Sequence, residues 1–143
     1  MQFEFDDGGR AAAGFKGSAG DCVCRSIAIA TGLPYREVYD ALNNMAEGER
    51  TGKRKRGRSS ARTGVYKATY RRYLADLGWC WVPTMQIGTG CTTHLRSDEL
   101  PSSGRLIVCV SRHMTAVIDG VIRDTHDPSR DGTRCVYGYF RME

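Results

Sequence analysis

The chain predicts an α+β fold, with helices gathered in its first half and strands in its second. Three observations carry that reading. Between residues 22 and 77 apolar side chains recur at helical spacing. "RLIVCVS" (105–111) is a continuous apolar run of strand length. "HMTAVI" and "VIRDT" flank Asp119-Gly120, a two-residue hairpin signal. The 143 residues suit a single domain spanning 1–143, long enough to bury a core. With 41% hydrophobic and 26% charged residues, wholesale disorder is excluded.

Residues 1–20 read as a Gly- and Ala-rich lead-in, with Phe3 and Phe5 in a short strand. Asp21 is placed to cap a helix from Cys22 to Thr31, and Gly32 stops it. After Leu33-Pro34, "YREVYDALNNMA" (35–46) spaces Tyr35, Val38, Tyr39 and Leu42 along one helical face. A third helix covers about 64–77, its stripe of Tyr66, Tyr70, Tyr73, Leu74 and Leu77 read as core and Gly78 as its end. "WCWVP" (79–83) reads as a strand and 86–104 as loop. Within that loop, "TGCTTHL" (89–95) is expected beside the cleft, shaping substrate entry. "RCVYGYFRM" (134–142) closes an antiparallel sheet.

The charge is uneven. Residues 50–62, "RTGKRKRGRSSAR", hold seven Lys/Arg and no acid, inside a basic flexible loop at 47–63. The formal net charge is +5, and the rest of the chain stands at −2 without those seven. A run this dense repels itself and will not pack. It is either a solvated loop or a grip for an acidic partner or nucleic acid, through Lys53, Arg54, Lys55, Arg56 and Arg58. No aromatic interleaves it, which argues against base stacking.

No apolar run reaches membrane length, and "MQFEFDDGGR" lacks the layout of a signal peptide, so a cytoplasmic protein is expected. The six cysteines are then expected as thiols, metal ligands or a nucleophile rather than bridges. Cys22, at a helix start, meets the positive end of the helix dipole and unpaired N–H groups, which favour its thiolate. Cys24 lies about 200° around the helix and is read as packing. Cys80, Cys109 and Cys135 are read as core. Cys22, Cys24, Cys91 and His94 also make C-x-C and C-x2-H pairs, but the first spacing is tighter than structural zinc sites use, and neither metal nor cofactor is expected.

A cysteine nucleophile needs a base. If Asp119-Gly120 is the turn, Ile118 faces Val121, Thr115 faces Asp124, and His113 faces His126. These four polar residues then share one sheet face, with His113 and Asp124 diagonal neighbours. A carboxylate there would orient the imidazole and support its charged form. Asp127 belongs to the turn "HDPSRDG" and alternates away.

This order resembles the papain-like cysteine peptidase fold, in which Cys opens an N-terminal helix, His starts a later strand, and Asn or Asp lies on the next. The chain from residue 20 is similar to small papain-like proteins of phages and bacteria, through "DCVCRSIA", "DTHD" and the closing "CVYGYF". The resemblance implies a catalytic Cys22–His113–Asp124 triad acting on a peptide, isopeptide or related amide bond. It puts Lys16 where those peptidases carry an oxyanion-binding Gln, and His126 where they carry a Trp that shields the His–Asn pair. His126 is thus either a second polar group of the site or a strand-end surface residue. The alternative function is a binding module of the same fold with weak or no chemistry, which engages a host protein or nucleic acid through its basic loop.

Overall fold

The computed structural model of the protein describes residues 1–50 and 57–142. Among these residues the elements run β1 (Gln2–Phe5), α1 (Cys22–Thr31), α2 (Tyr35–Ala46), α3 (Lys67–Asp76), β2 (Trp79–Pro83), β3 (Arg105–Val110), β4 (His113–Ile118), β5 (Val121–Asp124) and β6 (Val136–Met142). The fold class is α+β. One sheet holds all six strands in the order β1-β5-β4-β3-β6-β2. It is not wholly antiparallel, because β1 runs parallel to β5. Most of the chain separates these two strands, so no tight turn dictates their direction.

Helix α1 lies against β4, β3 and β5 on one side and α2 on another. Its residues 23–30 are all buried, the polar Arg25 and Ser26 among them. Gly32, in the left-handed region at φ 76°, ends it by bonding back to the Ala28 carbonyl. The Arg105 guanidinium reaches the Ala30 carbonyl at 3.2 Å and satisfies another open acceptor. Helix α3 starts later than the apolar spacing predicts. Ser60 and Gly64 bridge across a turn, and the Tyr66 N–H bonds the Ser59 hydroxyl at 2.8 Å, so this stretch is spent before the helix begins.

The sheet separates two cores. On the helical side pack Ile27, Val38, Leu42, Leu74, Ile107 and Phe140. On the other side Leu106, Val108, Val117, Ile122 and Val136 meet Leu95 and Leu100. The segment expected as a loop beside the cleft is therefore the cover of the opposite sheet face. Two backbone bonds tie it to the chain before β6, Leu95 N–H to the Arg134 carbonyl at 2.9 Å and Val136 N–H to the Thr93 carbonyl at 2.8 Å. That pairing brings the Cα atoms of Cys91 and Cys135 to 5.9 Å, and the two form a disulfide. The expectation of six unbridged cysteines thus fails for this pair, and Cys135 is not core packing. A bridge set by strand pairing across 44 residues leaves no local spacing signal.

Of the basic segment, Lys53, Arg54, Lys55 and Arg56 lie outside the described residues, and Arg58 is exposed. The expected loop at 47–63 is not loose throughout. Ser59 and Ala61 are buried. The Glu49 carboxylate accepts from the Ser59 N–H at 2.6 Å and from the hydroxyls of Ser59 and Thr69. The Ala61 N–H bonds the Asn43 side chain at 2.9 Å.

Candidate active site

Cys22 is the first residue of α1. Asp21 precedes it but makes no side-chain cap, contrary to expectation. Its carboxylate turns inward instead, accepting from Arg25 at 2.6 Å and from the Tyr35 hydroxyl at 2.8 Å. The N–H groups of the first helical turn are thereby left open to a ligand beside the thiol. The lead-in packs on α1 further along, where a Cβ on Gly8, at φ 73°, would crowd the Arg25 carbonyl at 3.1 Å, so a side chain there is strained.

The β4–β5 hairpin forms in the expected register, with Ile118 opposite Val121 and Ala116 opposite Arg123. Asp119 and Gly120 both take positive φ, 49° and 80°, as a two-residue I′ turn demands. One step beyond the paired residues stands Asp124, opposite Thr115. Asp124 is 1% exposed. Its Oδ2 accepts from His113 Nε2 and from the Thr115 hydroxyl, both at 2.7 Å. Its Oδ1 accepts from Arg25 at 3.0 Å and from the Thr125 N–H at 2.7 Å. Burial opposes its charge, but His113, Thr115 and Arg25 outweigh that and hold the carboxyl at about 2.

With Nε2 committed to Asp124, Nδ1 is the His113 nitrogen left for Cys22. The Cys22 thiol lines the same cavity as His113 and Met114. Burial raises the Cys22 pKa, but His113, the Met114 N–H and the Arg25 charge outweigh that and lower it. Burial lowers His113, but Asp124 and the Cys22 sulfur raise it to about 9. A thiol pushed down beside an imidazole pushed up shifts the two groups toward a thiolate–imidazolium pair.

The pair opens into a cavity of about 780 Å³. Cys109, Val110, His113 and Met114 all line it. Consecutive strand residues point to opposite faces, so the cavity lies at the strand ends rather than on one face. One wall is Thr125 and His126, another is Tyr70, Trp81 and Tyr137. Tyr70, expected as core, is a half-buried part of this aromatic wall. Arg71 stacks over Trp81 at 4.8 Å and Trp81 packs on Phe140 at 4.8 Å, which fixes the indole.

His126 is exposed, and its ring lies 5.0 Å from that of His113. The hairpin therefore delivers it to the site, beside the imidazole. Lys16 is not delivered. Its side chain is exposed and does not line the cavity, while its carbonyl accepts from Arg10 at 3.1 Å and Arg62 at 3.2 Å. The lead-in is held by its backbone, and the lysine stands outside the cavity lining. Arg62 also grips the Ser18 carbonyl at 3.0 Å, so this last cation of the basic run is a strut of the cleft wall. Cys24 is fully buried against the Tyr35 carbonyl, and burial pushes its thiol to about 12. With Cys24 buried and Cys91 in a disulfide, the four residues weighed as zinc ligands are not assembled. Asp127 accepts from the Ser129 N–H at 2.9 Å, as its turn requires.

Sequence reading missed Arg25. The residue is 8% exposed and joins Asp21 to Asp124, completing a hydrogen-bonded chain from Tyr35 through Asp21, Arg25 and Asp124 to His113. The signal was present: Asp21 and Arg25 stand at i and i+4 on an otherwise apolar helix, where a charge must find a partner. Comparison with protein-family models, with curated proteins and with solved structures finds no match to this chain.

Proposed function

We propose that the protein is a papain-like cysteine hydrolase acting on a peptide or related amide bond through Cys22, His113 and Asp124. The observation that carries this reading is that Cys22, at the start of α1, lines one cavity of about 780 Å³ with His113, whose Nε2 is held at 2.7 Å by the buried Asp124. The Cys22 thiolate attacks the substrate carbonyl carbon, and the C=O electron pair moves onto oxygen. The Cys22 backbone N–H and its neighbours in the first turn of α1 receive that oxyanion. The His113 imidazolium gives its proton to the leaving amine as the C–N bond breaks, leaving a thioester on Cys22. His113 then takes a proton from water, hydroxide attacks the thioester, and the acid departs with the thiolate restored. Asp124 keeps Nε2 protonated and the ring facing Cys22 throughout. His126 covers the outer side of the imidazole.

The test is site-resolved alkylation. The protein is treated with iodoacetamide from about pH 5 to about pH 9, and each labelled cysteine is located by peptide mass spectrometry. Cys22 is expected to label fastest, with an apparent pKa below the ~8.5 of a free thiol, and to lose that advantage in His113→Ala. If Cys22 labels no faster than Cys80, or ignores His113, the reading is wrong. The competing account would then take its place, a binding module that grips an acidic partner or nucleic acid through its basic run.

A further inference from the structure

A second cluster of sulfur, imidazole and carboxylate lies on the far side of the sheet, outside the cavity. Cys91 is exposed and Cys135 half-buried in their disulfide. His94 Nε2 stands 3.6 Å from Cys91 Sγ, and His94 Nδ1 stands 3.2 Å from Glu99 Oε1. Glu99 also faces Arg96 at 3.5 Å. The backbone holds the arrangement, because His94 forms a β-bridge with Cys135 itself. A disulfide that serves only as a staple has no need of a carboxylate-oriented imidazole at its exposed sulfur.

We propose that Cys91–Cys135 is a thiol-exchange site, with Cys91 the nucleophilic sulfur served by His94 and Glu99, Cys135 the resolving sulfur, and a small thiol of the glutathione class as co-reactant. In the reducing direction a thiolate RS⁻ attacks the exposed Cys91 Sγ. The S–S bond to Cys135 breaks, a Cys91–SR bond forms, and Cys135 leaves with the proton the first thiol gave up. A second RS⁻ attacks the sulfur of the bound R group, releasing RSSR and leaving Cys91 as thiolate. The His94 imidazolium, carrying the second thiol's proton and oriented by Glu99, stabilises that thiolate. Two RSH are oxidised to RSSR and one protein disulfide is reduced to two thiols. The reverse direction begins with the same Cys91 thiolate. Exchange depends on thiolate character and on access. Cys91 is exposed, with the His94 imidazole 3.6 Å from its sulfur.

The experiment uses the full chain in glutathione buffers of graded oxidised-to-reduced ratio. Samples are quenched with an alkylating tag, and the peptides of Cys91 and Cys135 are read separately by mass spectrometry. The expected result is reversible opening of the disulfide, a glutathione adduct on Cys91 and not on Cys135, and exchange slowed about tenfold in His94→Gln. A second variant guards against disturbed folding. In Cys135→Ser the lone Cys91 is expected to alkylate about tenfold faster than in Cys135→Ser/His94→Gln, with Cys22 labelling as an internal control. A disulfide that stays closed across all buffers, an adduct on Cys135 first, or rates unmoved by His94→Gln would overturn the proposal. Because Cys22 is read on its own peptide, failure here and failure of the hydrolase reading are seen separately.

Discussion

Replacing Arg25 by Met should cost about 3–4 kcal/mol of folding stability. Arg25 makes two charge-assisted bonds, 2.6 Å to Asp21 and 3.0 Å to Asp124. Bonds of this kind contribute about 1.5–3 kcal/mol each, and removing the cation strands two buried carboxylates. Part of the loss is offset. Asp124 keeps His113, Thr115 and the Thr125 N–H, and Asp21 keeps the Tyr35 hydroxyl with Arg10 at 3.8 Å. That places the cost in the lower half of the range. Arg25→Lys retains the charge, but one ammonium cannot fork between two carboxylates, so about half the loss should remain. Tyr35→Phe removes one uncharged donor from the Asp21 carboxylate and should cost about 1.5 kcal/mol. Urea unfolding near neutral pH, read as a shift in midpoint with unchanged slope, ranks the three. Arg25→Met within about 1 kcal/mol of the parent, or Tyr35→Phe as costly as Arg25→Met, would refute the argument that this guanidinium holds the two carboxylates.

Asp124→Asn should leave the hairpin formed but slow Cys22 alkylation at neutral pH by about tenfold or more, because the imidazolium loses its partner; an unchanged rate would remove Asp124 from the site. In Cys22→Ala, which isolates His113 and Asp124, stability should decline on both sides of a plateau. As pH falls from about 4 toward 2, Asp124 takes up a proton and a contribution of about 2 kcal/mol is lost. As pH rises above about 6.5, His113 loses the proton that Asp124 holds and its contribution goes too; a flat profile in chemical unfolding contradicts the pairing. Gly138→Ala should destabilise by about 1–3 kcal/mol, because its Cβ would meet the Trp81 ring and stand 2.8 Å from the Val82 carbonyl. A cost below about 0.5 kcal/mol in thermal unfolding would mean that Trp81 is free to move.

The parts of the site that sequence could place are those joined by short-range geometry. A two-residue turn fixes register, so Asp119-Gly120 alone put His113, Thr115, Asp124 and His126 on one face, and the ladder follows that count. Gly32 marks the end of α1 for an equally local reason. What sequence could not place depends on contacts between distant segments. Asp21 satisfies the rule for a cap by its position, yet Tyr35 and Arg25 compete for its oxygens and win, because both are buried and have no water to turn to. The Cys91–Cys135 bridge and the cover of the second core depend on residues 93–95 pairing with 134–136, a register that no turn announces. Lys16 failed for a related reason, since matching a family position along the chain does not say where a lead-in held by Arg10 and Arg62 will point its side chain.

Stability and reactivity share the same atoms in this site. The Oδ1 atom of Asp124 answers to Arg25 on the helix that carries Cys22, and its Oδ2 answers to His113 on the strand that faces it. The carboxylate therefore orients the imidazole and also fastens α1 to the hairpin. A change that spared the fold while loosening the Cys22–His113 pair would have to act on Oδ2 alone. Thr115→Val is such a change, since it removes one 2.7 Å donor from Oδ2 and leaves Arg25 in place. It should cost about 1 kcal/mol of stability. It should also return some negative charge to the His113 side of the carboxylate, holding the imidazolium more firmly and making it a weaker proton donor to the leaving amine. Alkylation of Cys22, which needs only the thiolate, should then persist while turnover of any amide substrate falls. Parallel loss of both would show that Thr115 serves packing alone.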